Sequence, residues 1–311
     1  MAAAATVLVL AAGDAGAAAA GHDATCRFGG ASRDLEITIE RDQAAKGRAG
    51  AVYLATRHRF IYVFGGSGGD EVPCHGAAPT TLNVDTVRVT AAAKLRAAEV
   101  FVDQRGGVFA PGNTDEGNGS SEIEFQIDLP LRGLAYFLMT RGDDAVYARD
   151  LGTQTLASLN PFESPFDFDV TVNGGGLIVL GLGGDDLLSA SPSPPGPYDQ
   201  YQPSPPGSGF GIGFLGGAGS DGLFGTPAAD ALIGGGGSDL VIGGAGEDGI
   251  STRDGIRDFV NCGAGRDRLT SDRRDRTHAC EAHGGTAAAR RATRLPGGVA
   301  PDHLPLRLRP R

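Results

Sequence analysis

An all-β fold is what this 311-residue sequence predicts, and three features lead there. Between residues 34 and 174, apolar and polar residues alternate in short bursts, the period of a half-buried strand. From residue 216 a nine-residue unit built on glycine and aspartate repeats without interruption. The one segment of helical composition, Thr90 to Val100, lacks a closing glycine and runs straight into a strand pattern, so it stands as a weak helical candidate.

Composition narrows the function. Fifty-one glycines, two methionines, no tryptophan and 6 % aromatics are unlike a compact enzyme, in which large rings supply much of the buried area. So much glycine implies many backbone sites at positive φ. The formal charge of -10 argues against nucleic acid as a general partner and fits a cation-binding or merely soluble surface.

Taken in order, the chain opens with a short apolar run and small residues of A-x-A type, which predicts a secretory signal over residues 1–20, cleaved near Ala20. No Lys or Arg precedes that run, and Asp14 interrupts the small-residue stretch after it. No later segment approaches 18 uninterrupted apolar residues, so no membrane span is expected. Strand-length bursts then recur over a β-rich region, 21–190, as "DLEITIE", "RFIYVF", "LNVDTVRVT", "EVFVDQ", "SEIEFQIDL" and "FDFDVTVNG". Residues 191–210 are proline-rich and read as an extended excursion or linker. The tail, 284–311, is basic, poor in apolar pattern and expected to be disordered; contact with an anionic cell envelope is one use for it.

The four cysteines form no C-x-x-C motif and fall as one pair near each end. That favours two local disulfides, Cys26–Cys74 and Cys262–Cys280, and an oxidising compartment, with four unpaired buried thiols as the alternative.

The repeat carries the chemistry. Units beginning at 216, 225, 234 and 243 keep the beat of Gly-Gly-x-Gly-x-Asp with different losses, with Asp221, Asp230, Asp239 and Asp248 at position 6 and Leu223, Leu232, Val241 and Ile250 at position 8. Six residues of turn feed a three-residue strand that points one apolar side chain inward, so nine residues make half of a flattened coil and 18 make a whole one. Asp221 should then stack on Asp239, and Asp230 on Asp248, about 4.8 Å apart. Two carboxylates at that distance repel by about 1 kcal/mol in water and roughly 3 kcal/mol at an effective dielectric near 20. A hard divalent cation would compensate. Ca²⁺ suits a mixture of carboxylates and turn carbonyls, whereas Mg²⁺ demands a tight octahedron.

These units resemble the haemolysin-type, or RTX, calcium-binding nonapeptide GGxGxDxUx. The resemblance implies a right-handed parallel β-roll (β-helix), regular in the C-terminal half over 211–283 and degenerate in the N-terminal half, with calcium between adjacent turns. It makes Asp221, Asp239 and Asp248 side-chain ligands, with backbone carbonyls supplied around Gly216, Gly217 and Gly219, around Gly234, Gly235 and Gly237, and around Gly243, Gly244 and Gly246. Asp230 is a doubtful member, because Thr226, Pro227 and Ala228 replace the glycines of its unit. After a ten-residue unit, "TRDGIRDFVN", the pattern slips by one and resumes as "CGAGRDRLT", which adds Asp267. A Cys262–Cys280 bridge would clamp this last coil as a cap with a polar outer face. Earlier echoes at 65–73, 139–147 and 180–188 place Asp70, Asp144 and Asp185 at position 6.

Other motifs are weaker. "GGSGG" at 65–69 resembles a nucleophile elbow around Ser67, but no helix pattern comes after it. "GIGFLG" at 211–216 lacks the βαβ setting of a dinucleotide site, and "RGD" at 141–143 is already a turn. Glu122 and Glu124 read as a solvated strand face. The expectation is therefore a secreted, calcium-dependent protein without catalytic activity. The alternatives are a polysaccharide-active β-helix enzyme with the repeats as a folding appendage, and a surface adhesin.

Overall fold

A computed structural model describes residues 24–40, 50–65, 70–109, 122–159, 161, 167–190, 211–280 and 282–283. The segment expected to be a secretory signal, the proline-rich residues 191–210, the basic residues 284–311 and Ser67 lie outside these residues. The described chain is all-β: 24 strands form one sheet of 13 strands and a second of 11. Among the described residues no helix is long and apolar enough to cross a membrane.

The C-terminal strands alternate strictly between the two sheets. Strands β15 (Leu187–Ser189), β17 (Gly222–Phe224), β19 (Leu240–Ile242), β21 (Phe259–Asn261) and β23 (Arg276–His278) run parallel in the larger sheet. Strands β14 (Gly176–Leu180), β16 (Ile212–Ala218), β18 (Ala231–Gly236), β20 (Gly249–Ser251), β22 (Arg268–Thr270) and β24 (Ala282–His283) do the same in the smaller one. The register pairs Leu223 with Val241 and Leu232 with Ile250, as the 18-residue coil requires. All four point inward and are fully buried, stacked with Leu188, Phe214, Val260 and Leu269 into a core one side chain wide per strand.

In the N-terminal half the strands are longer and the coil carries hairpins. Parallel pairing continues through β2 (Asp34–Ile39), β7 (Thr86–Ala91), β9 (Glu124–Asp128) and β13 (Val170–Asn173) in the larger sheet. In the smaller sheet it continues through β3 (Gly50–Arg57), β8 (Ala98–Asp103) and β10 (Leu134–Leu138) to β14. Antiparallel strands are added at the N-terminal edges: β1 (Ala24–Gly29) beside β2, and β4 (Phe60–Gly65) with β5 (Asp70–Glu71) beside β3. A meander of β11 (Ala145–Asp150) and β12 (Gln154–Ser158) sits between β13 and β15.

The helical candidate at 90–100 is not a helix. Its first residues end β7, its last open β8, and Leu95 turns inward between them, its amide donating to the Ala92 carbonyl at 2.9 Å. Strand pairing at both ends outweighs the weak propensity of eleven residues. "GIGFLG" is likewise strand β16, within a parallel ladder.

Both cysteine pairs are disulfides. Cys26–Cys74 ties β1 to the short parallel strand β6 (Cys74–Gly76), and Cys262–Cys280 joins successive coils just beyond β21 and β23.

Candidate metal centre

The turns that precede the short strands bring the aspartates into two columns, one along each edge of the coil. In the first, the backbone N–H of each aspartate donates to Oδ1 of the aspartate one coil later. The series runs Asp144 to Asp186 (2.8 Å), Asp186 to Asp221 (2.9 Å), Asp221 to Asp239 (3.0 Å), Asp239 to Asp258 (2.9 Å) and Asp258 to Asp275 (3.3 Å). The second edge runs Ile212 to Asp230 (2.7 Å), Asp230 to Asp248 (2.9 Å) and Asp248 to Asp267 (3.0 Å). The sequence step is 18 through Asp221–Asp239 and Asp230–Asp248, and 19 where the ten-residue unit intervenes.

All five expected aspartates, Asp221, Asp230, Asp239, Asp248 and Asp267, are therefore in these columns, and each is at most 4 % exposed. Two positions differ from the sequence reading. Asp186, not Asp185, is the column member, because Leu187 pairs with Gly222 and so aligns Asp186 with Asp221. Asp70 lies exposed on β5, an antiparallel edge strand, and has no place in either column. Asp258 was missed because its unit is one residue longer; the buried Val260 two residues on was the available signal.

In most of these turns Oδ1 alone is used, and the other oxygen is the informative one. Among the described residues, Oδ2 of Asp186, Asp221, Asp239, Asp248 and Asp258 is buried without a hydrogen-bond partner. A buried polar atom left this way costs about 1–3 kcal/mol, and more when charged. The surroundings are also oxygen-rich. A Cβ placed on Gly216 would meet both Asp221 Oδ2 and the Gly234 carbonyl oxygen, the latter at 2.6 Å. At Gly243 it would meet Asp248 Oδ2 at 2.5 Å together with the Cys262 carbonyl oxygen. At Gly234 it would meet Asp239 Oδ2. Position 1 must be glycine because the carboxylate lies over its Cα.

The other candidate glycines shape the turn. Gly217, Gly235 and Gly244 have φ of 119°, 113° and 109°, and Gly219, Gly237 and Gly246 have 143°, 145° and 122°. At Gly237 a Cβ would run into the Gly219 carbonyl of the coil before.

Electrostatics follow from this packing. Burial pushes the Asp248 carboxyl up to about 8; the bond from the Asp230 amide opposes the shift, and the neighbouring Asp230 and Asp267 charges add to it. Burial likewise raises Asp230 to about 7, and Asp186, Asp239 and Asp258 to about 6. Asp221 is raised by the same cause. Buried, proton-seeking carboxylates beside carbonyl oxygens are the donor set of a hard cation, which would replace the proton and bond the open Oδ2. Among the described residues, no three His, Cys, Asp or Glu side chains converge on one point. Each turn places one carboxylate in a column, and the oxygens beside its Oδ2 at Gly216 and Gly243 are the backbone carbonyls of Gly234 and Cys262.

Elsewhere, Glu122 is half-buried, so it is not simply a solvated strand residue. Arg141 to Asp143 lie in an exposed turn. No family model matches the chain, and neither a curated protein nor a solved structure matches it.

Proposed function

We propose that this chain is a secreted RTX-type calcium-binding protein without catalytic activity of its own, in which Ca²⁺ seated between stacked turns completes a right-handed β-roll. The observation that carries this reading is the row of buried Oδ2 atoms on Asp186, Asp221, Asp239, Asp248 and Asp258, each left without a protein donor. These carboxylates would hold the ions, with carbonyl oxygens such as those of Gly234 and Cys262 completing the shell. Calcium supplies the positive charge that offsets the desolvated carboxylates. The protein's own contribution is to fix Oδ1 through the amide of the preceding coil, leaving Oδ2 aimed at the site. The two disulfides suit an oxidising, extracellular setting.

Because ion binding and folding are coupled, calcium should raise both order and stability. A site with a 0.1 mM dissociation constant in 1 mM calcium contributes about 1.4 kcal/mol. The test is calorimetric titration of the full chain with CaCl₂, alongside thermal melts in chelator and in millimolar calcium. Heat of binding with a rise in melting temperature is expected. Identical melts and no binding heat would overturn the proposal.

A further inference from the structure

Apart from Asp275, which ends its column and is bonded by the Asp272 amide and the Thr252 hydroxyl, two column aspartates differ from those with an open Oδ2. Asp230 Oδ2 accepts the backbone N–H of Thr226 at 2.5 Å, and the Thr226 hydroxyl lies 3.0 and 3.1 Å from the two carboxylate oxygens. Asp144 is held identically by Thr140, four residues before it: N–H to Oδ2 at 3.0 Å and hydroxyl at 3.1 and 3.0 Å. In the turns of Asp186, Asp221, Asp239 and Asp248 the residue four before is Leu182, Gly217, Gly235 or Gly244. Each of those is left-handed, with φ of 76°, 119°, 113° and 109°. Neither threonine is left-handed. In these six turns the backbone thus takes two forms: one offers the carboxylate an amide and a hydroxyl, and the other withholds both; in the longer turn of Asp258, whose Oδ2 is also open, the left-handed residue is Gly255, three before, with φ of 89°. Leu182 shows that the left-handed form is adopted even by a residue for which it is unfavourable.

We infer that Thr140 and Thr226 are built-in substitutes for the cation, closing the turns of Asp144 and Asp230 without metal and confining calcium to the turns whose Oδ2 is open. This rests on the calcium reading above for its second half only. The threonines decide which turns bind, and Thr226 divides the two coil edges into unequal sets of sites. Asp230 then keeps its place in the column with or without calcium, as a metal-free step within the array.

Three measurements on the full chain test this. The double variant Thr226→Gly with Ala228→Gly restores the glycines of the neighbouring turns, and by calorimetry it should take up one more calcium ion per chain than the parent. An unchanged stoichiometry in a folded variant overturns the inference. On titrating the parent with calcium, the ¹³C carboxyl signal of Asp239 should move and that of Asp230 should not; movement of Asp230 to the same extent overturns it, independently of whether the double variant folds. In chelator, Thr226→Val should lower the melting temperature by roughly 3–10 °C, and Thr226→Ser should stay near the parent. A parent that binds no calcium would sink the calcium reading, while this last comparison would still decide the role of the threonine. A Val variant as stable as the parent sinks that role.

Discussion

Asp239 accepts through Oδ1 the backbone N–H of Asp221, 18 residues earlier, at 3.0 Å. The carboxylate is therefore a structural acceptor for the previous coil, while its other oxygen is buried without a hydrogen-bond partner and, on the calcium proposal, would bond the ion. Substitutions that separate these two roles are the most informative.

Asp248→Asn keeps an Oδ1 acceptor for the Asp230 amide and replaces Oδ2 with a donor beside the Cys262 carbonyl oxygen. At pH 8 in chelator the variant should melt roughly 2–6 °C above the parent, because a buried ionisable group has been removed. In millimolar calcium that advantage should shrink or vanish, with loss of about 1.4 kcal/mol of calcium-linked stability. Paired melts in the two buffers check both effects.

The metal-free protein should lose stability as pH rises. The carboxyls of Asp186, Asp239 and Asp258 are raised to about 6, Asp230 to about 7 and Asp248 to about 8. The unfolded chain releases these protons near pH 4, whereas the folded chain holds them. Stability is therefore fully present below about pH 4 as far as these groups are concerned, and it is lost progressively up to pH 6–8. Denaturant midpoints from pH 4 to 9 in chelator should fall across that window, and calcium should restore them most at the alkaline end. A midpoint that climbs from pH 4 to 8 without metal would contradict the burial of these groups.

Gly237→Ala should be among the more damaging single-methyl changes. The φ of 145° is hostile to an L side chain, and the added Cβ would meet the Gly219 backbone carbonyl, which has nowhere to move within the stack. A loss of roughly 2 kcal/mol or more is expected, read as a lower denaturant midpoint with and without calcium. Gly255→Ala is the control: its φ is 89°, but nothing lies within 4 Å of the added atom, so the cost should be smaller.

Opening Cys262–Cys280, by Cys262→Ser with Cys280→Ser, releases a crosslink of sequence separation 18. The loop-closure estimate is roughly 3 kcal/mol. Hydrogen exchange should place the loss first in Phe259–Asn261 and Arg276–His278, the paired strands it clamps.

Much of this architecture was legible in the sequence, for a physical reason. A coil that buries one side chain per short strand leaves a strict trace: Leu223, Leu232, Val241 and Ile250 at position 8 gave the inward row and its 18-residue step. The slip of one residue at "TRDGIRDFVN" likewise appears as the 19-residue step to Asp258 and to Asp267. What remained hidden depends on register between distant strands. Asp185 and Asp186 are adjacent, and only the pairing of Leu187 with Gly222 chooses between them. The donation of each aspartate amide to the next carboxylate cannot be read from a repeat, because stacked carboxylates alone suggest repulsion.

Within the two columns the amide-to-carboxylate bonds run one way, each aspartate relying on an acceptor supplied by a later stretch of chain, whereas beside them the Asp185 and Ser220 amides donate backwards, to Oδ1 of Asp143 and Asp185. On the first edge the series ends at Asp275, whose carboxylate is steadied locally by the Asp272 amide at 2.8 Å and the Thr252 hydroxyl at 3.2 Å. Such a polarity gives the stack a grammatical direction: no winding is finished until its successor exists. A ribosome that delivers the amino end first would leave the newest column amide unpaired until the following winding emerges, and only the disulfide-locked last coil would close the series.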